Sequence, residues 1–161
     1  MANYQIPLTG KVAWPCILVQ IIILSLLMLV STWIFEFFPF LIAAISYALI
    51  AQLLRRSQAK HHRKGVRLVL KKQYEESIPW FIKSVHHFEK KPWLDKYRCI
   101  TLLSATGYGY REMGLCNLGF CYAQLGKREE AIEFYNKVLQ TNPNNGLAIT
   151  TLNLLNTAKK E

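Results

Sequence analysis

The groups in this 161-residue chain whose chemistry could go beyond packing are four histidines, four cysteines and ten carboxylates. The histidines stand as adjacent pairs, His61-His62 and His86-His87, which raises the question of a metal centre. Neighbouring residues on a helix point about 100° apart, so neither pair closes on one ion. Cys16, Cys99, Cys116 and Cys121 show no CxxC spacing, and Cys116 and Cys121 fall on different sides of one helix. Neither a zinc site nor a disulfide framework is expected, and buried free thiols would suit a reducing compartment. Glu75-Glu76 and Glu129-Glu130 are adjacent acids too, and read as helix-start residues favoured by the macrodipole rather than as a catalytic pair. Gly107-Tyr108-Gly109 is too short for a phosphate loop and marks a bend. No Ser–His–Asp set is visible. The expectation is no enzyme, no cofactor and no metal.

The two acid pairs share a setting. The second sits in LCNLGFCYAQLGKREEAIEFYNKVLQTNP, from Leu115 to Pro143. Small residues at Gly119 and Ala131 allow two antiparallel helices to approach, with Leu118, Tyr122 and Tyr135 filling the space around them. Gly126 and Lys127 make the turn, and Asn142-Pro143 stops the second helix. This spacing resembles the tetratricopeptide repeat, a helix–turn–helix unit of about 34 residues. The resemblance implies an all-α fold that holds other proteins or peptides and rarely does chemistry.

A weaker copy lies upstream. Gly65-Val66-Arg67-Leu68 aligns with Gly119-Phe120-Cys121-Tyr122, Tyr74 to Ile78 with Arg128 to Ile132, and Phe81 with Tyr135. Lys64 stands where the strong copy has Leu118, and Pro79 falls near the start of the second helix. The offset between copies exceeds one repeat, so a segment from about Lys91 to Gly109 has been inserted. Trp93, Leu94, Tyr97, Ile100 and Leu103 recur there at helical spacing, which predicts one extra or lengthened helix. The repeats are expected over residues 58–91 and 112–145, with a terminal helix over 146–159.

On the inner helices, the positions that grip peptide carboxylates in some repeats of this kind are Met113, Cys116, Phe120 and Ala123, with Gln124 beside them. The weak copy has Ala59, His62, Val66 and Val69. That surface lacks a charged clamp and would suit an apolar partner helix. The candidate contact residues are Met113, Cys116, Asn117, Phe120 and Gln124. Two repeats do not close a core by themselves, so a second copy of the chain is one way to complete it.

The elements upstream are of another kind. After a tail over residues 1–12, a hairpin over 13–54 carries two apolar runs, at 13–35 and 37–54, each of a length to cross a bilayer. Glu36 and Pro39 mark the break between them. Trp14 and Trp33 bracket the first run as interfacial indoles do. Ala44, Ala48 and Ala51 offer a small face for close helix packing. A cleaved signal peptide fits poorly, because the run is long and a second follows at once.

The chain carries a formal charge of +10, and all of the excess lies after the apolar runs. Arg55, Arg56, Lys60, Arg63, Lys64 and Arg67 follow the hairpin, while its turn holds no Lys or Arg. The positive-inside rule then places both termini in the cytoplasm, with a bacterial cell membrane as the expected setting. The same charges are candidates for contact with anionic lipid headgroups, and no motif points to nucleic acid. The expected molecule is a two-helix transmembrane hairpin presenting a tetratricopeptide-like domain, acting as an adaptor for another protein. The alternative is a self-associating protein that shapes membrane through the hairpin and basic helix.

Overall fold

The structure is a computed structural model that describes residues 12–157. Among these residues the elements are helical: α1 Trp14–Ile34, α2 Pro39–Gln58, α3 Lys60–Leu70, α4 Tyr74–Lys90, α5 Pro92–Lys96, α6 Arg98–Thr101, α7 Tyr110–Gln124, α8 Arg128–Thr141 and α9 Gly146–Thr157. Most of the expected N-terminal tail, and the last two residues of the expected terminal helix, lie outside the described residues. The chain divides into two compact units. Of the described residues, one unit takes those up to Lys60 and Lys91–Gly107, and the other takes His61–Lys90 and those from Tyr108 onward. The inserted segment therefore folds with the hairpin and not with the repeats whose sequences it separates.

In the hairpin unit, α1 and α2 pack side by side and are long and apolar enough to cross a membrane. Pro39 occupies the first turn of α2, where its missing N–H costs nothing, so that helix begins there and not at residue 37. It runs on to Gln58, and Arg55 and Arg56 lie in its last turn. The small face differs from the one expected: Ala43 and Ala51 are buried, whereas Ala44 and Ala48 are exposed. A one-residue step swings a side chain by about 100°, and here it decides which alanines meet α1.

The insertion is not one helix. α5 and α6 are single turns on either side of Tyr97, followed by irregular chain with Leu103 at positive φ. This segment is bound to the start of α1. The Ala13 N–H donates to the Ala105 carbonyl at 2.9 Å, and Val12 pairs with Thr106 in an isolated bridge. Cys16 and Cys99 form a disulfide, which corrects the expectation of free thiols only. Its partners are 83 residues apart, and local spacing cannot reveal a pairing created by the fold-back of an insertion. The Arg55 guanidinium closes the other side, donating to the Leu102 carbonyl at 3.1 Å and to that of Leu103.

In the repeat unit, α3–α4 and α7–α8 form two helical hairpins, and α7 packs against both α4 and α8. A Cβ on Gly65 would stand 2.8 Å from the Phe81 ring, and one on Gly119 would stand 2.7 Å from the Tyr135 ring. Glycine is required at both crossings because each helix presses its backbone onto an aromatic face. Phe81, Leu118, Cys121, Ala131, Tyr135 and Val138 share one core. Pro79 lies inside α4 rather than in its first turn, which removes the donor that Glu75's carbonyl would have met one turn on. α9 packs on α8, with the buried Asn145 side chain accepting from the Ala148 N–H at 3.1 Å as its cap. The Arg128 guanidinium donates to the Leu155 carbonyl at 2.9 and 2.6 Å, which fastens the far end of α9.

Candidate functional site

α7 is the middle helix of the repeat unit and is covered on most sides. Of the five residues expected to meet a partner, Cys116 and Phe120 belong to the core, Met113 and Asn117 are buried, and Gln124 alone is partly open. Phe120 meets the ring of Tyr74 edge-on, with centroids 5.9 Å apart. Burial pushes the Cys116 thiol up to about 12, with help from the charge of Glu112. Burial likewise raises the Cys121 thiol to about 11, against the opposing effect of Ser77, whose hydroxyl lies 3.0 Å from its sulfur. Neither is a thiolate near neutral pH, so neither is a nucleophile.

Three of the four histidines make ring contacts, and His86 is exposed on the rim of the concavity between α4 and α8. His61 stacks on Trp80, and His62 is buried with Phe81 and Tyr110 edge-on to it at 5.7 and 5.4 Å. Burial lowers His62 to about 4, so it is neutral at physiological pH. His87 meets Phe88 edge-on. Among the described residues no three potential ligands gather as a metal site would require.

The open concavity lies elsewhere, between α4 and α8 over α7. It has a volume of about 560 Å³. Leu115 and Leu118 of α7, Val85 of α4 and Phe134 of α8 supply apolar walls, and Arg111 and Lys137 supply charge. Arg111 is held in place by Glu89 at 3.0 Å and by the Thr141 hydroxyl at 2.9 Å. Lys137 pairs with Glu133 at 2.6 Å and lies over the Phe134 ring. Sequence periodicity marked Leu115 and Leu118 as core, and gave no sign that two successive outer helices would leave their edges open.

The basic residues after the hairpin divide by role. Arg55 is engaged by the two leucine carbonyls of the insertion. Lys64 of α3 and Lys83 of α4 lie over the Trp80 ring at 4.0 and 5.0 Å from its centroid, a pair of cation–π contacts. Arg56, Lys60 and Arg67 are exposed and Arg63 is half-buried.

Residues 113–145 match the family model of the tetratricopeptide repeat, and they cover most of α7, all of α8 and the turn that follows. No curated protein and no solved structure matches the chain.

Proposed function

Because the chain carries a tetratricopeptide repeat, an interaction module, we propose that it is a membrane-anchored adaptor that recruits another protein to the membrane surface. The repeat match is the observation that carries this reading. The hairpin is the anchor: two adjacent helices, 21 and 20 residues long, whose outward side chains include Leu18, Ile22, Leu29, Leu41 and Leu49. A soluble protein rarely leaves so much contiguous apolar surface uncovered.

The contact surface we favour is the groove over Leu115 and Leu118; Gln124, the partly open member of the set expected on α7, is not among the residues that line it. Met113, Cys116, Asn117 and Phe120 would take part only if a partner displaced what covers them. The groove suits an amphipathic segment whose apolar side chains enter between Val85 and Phe134. A photo-reactive residue in place of Ile82, on the groove's edge, should capture one protein in native membranes. The same residue in place of Asn153 should not. Equal capture from both positions removes the groove from consideration. Capture of a second copy of the chain instead favours self-association through this groove.

The cations at and after the end of α2 support a cytoplasmic setting for the repeat unit. Arg56, Lys60, Arg63, Lys64 and Arg67 would each add about 1 kcal/mol of attraction close to an anionic leaflet. A disulfide near the start of α1 favours an oxidising compartment on that same side. We give the charges precedence, since they act during insertion, before the disulfide can form. Alkylating free thiols in intact cells before lysis tests the compartment. Cys16 and Cys99 protected from the reagent, and released by reductant, would place this side outside the cytoplasm.

A further inference from the structure

We propose that residues 91–107 form an interfacial foot, which lies in the headgroup layer of the bilayer that the hairpin crosses. This rests on the reading of α1 and α2 as membrane-spanning. The inserted segment exposes Trp93, Tyr97 and Ile100, each more than half open to solvent. They stand at i, i+4 and i+7, and the backbone keeps that register across the break between α5 and α6. The Tyr97 N–H donates to the Trp93 carbonyl and the Thr101 N–H to the Tyr97 carbonyl, each at 3.0 Å. The three side chains therefore share one face, while Leu94, Leu102 and Leu103 are buried.

Two large aromatics and an isoleucine on one face, with exposed Lys91 and Lys96 beside them, have the composition of an interfacial helix. Asp95 is the one acid in the segment. Tryptophan and tyrosine favour this depth because each joins an apolar body to a polar tip.

What selects lipid as the occupant is where the segment is fastened. Cys99 is bonded to Cys16 in the first turn of α1, and Ala105 accepts from Ala13 just ahead of it. Arg55, in the last turn of α2, holds the carbonyls of Leu102 and Leu103. Those two turns are where the apolar helices would leave the hydrocarbon. Trp14, at the same end of α1, is itself three-quarters exposed. The foot's apolar face thus continues the outer surface of the hairpin at the depth of an interfacial belt. Fixed in this way, it would stop the hairpin from sliding along the membrane normal.

Depth-dependent fluorescence quenching tests this on the full-length chain in vesicles of phosphatidylcholine and phosphatidylglycerol. One preparation keeps Trp93 as its sole tryptophan (Trp14→Phe, Trp33→Phe, Trp80→Phe), and a companion keeps Trp33 alone. With lipids brominated near the headgroup end of their acyl chains, Trp93 emission should fall by roughly half, and by less when bromine sits mid-chain. Trp93 unquenched and open to aqueous iodide, while Trp33 is quenched, would overturn the foot and leave the hairpin standing. If neither is quenched, the hairpin reading fails and the foot with it. Should Trp80→Phe disturb the fold, the wild-type chain against Trp93→Phe gives the same reading: the fraction quenched by shallow bromine falls if the foot is interfacial and rises if it is not.

Discussion

α3–α4 and α7–α8 have nearly the same backbone and very different sequences. At the turns, Gln73 donates to the Leu68 carbonyl at 3.0 Å, and its counterpart Lys127 donates to that of Tyr122 at 2.9 Å. Lys71 bonds to Arg67 as Leu125 bonds to Cys121, and Lys72 to Val69 as Gly126 to Ala123. The residue at the left-handed position has φ 60° in one turn and 74° in the other. Gly65 meets Phe81 as Gly119 meets Tyr135, and Ser77 is as fully buried as Ala131. Yet the family match covers the second hairpin and not the first. A repeat is thus defined by a few steric positions, and much of the rest of its sequence can drift without altering the backbone.

The strongest way to break this equivalence is to empty the two aromatic sites. Phe81→Ala and Tyr135→Ala should each destabilise the repeat unit by about 3–5 kcal/mol, read as thermal unfolding of the full chain in detergent. A far smaller loss for Phe81→Ala would show that the first hairpin does not share the core on equal terms.

Acid should separate the two hairpins. His62 stands where the second has Cys116, and both are buried. The histidine's folded pKa of about 4 lies below its unfolded value of about 6.5, so the unfolded chain binds the extra proton first. Stability from this site is intact above pH 6.5 and declines as pH falls towards 4, by up to about 3 kcal/mol. His62→Leu should flatten that part of the pH profile. An unchanged slope would mean that His62 is not the group responsible.

A milder perturbation adds one methyl at each crossing. Gly65→Ala and Gly119→Ala force the opposing ring aside and should cost about 1–3 kcal/mol each. Similar losses would sharpen the equivalence, and a neutral Gly65→Ala would show that the first crossing has room to give.

The smallest effects should have opposite signs. Lys72 holds a left-handed conformation that costs an ordinary residue about 1–2 kcal/mol, so Lys72→Gly should be neutral to stabilising and Gly126→Ala destabilising by about 1 kcal/mol. Chemical denaturation of both variants checks the pair.

The features legible in the sequence were those carried by local spacing. Gly119 with Tyr135, the break at Glu36 to Pro39 and the turn at Gly126 each follow from residues a few positions apart. Cys16 with Cys99, and Arg55 with the carbonyls of Leu102 and Leu103, join segments far apart in the chain and left no local trace. The expected contact set on α7 shows another limit. Periodicity tells which residues are apolar, but not how many neighbours cover a helix, and α7 has α4 on one side and α8 on the other. The groove was illegible for the complementary reason: it is a gap between edges, and no single residue type announces a gap.

Among the described residues the chain passes between its two units three times, after Lys60, after Lys90 and after Gly107. Many anchored domains hang from their membrane segment by one linker, and a single proteolytic cut sets them free. Here a cut after Lys60 leaves the halves covalently joined, because Cys99 in the downstream fragment is still bonded to Cys16 in the upstream one. While that disulfide stands, a cut after Lys60 alone does not separate the repeat residues from the hairpin.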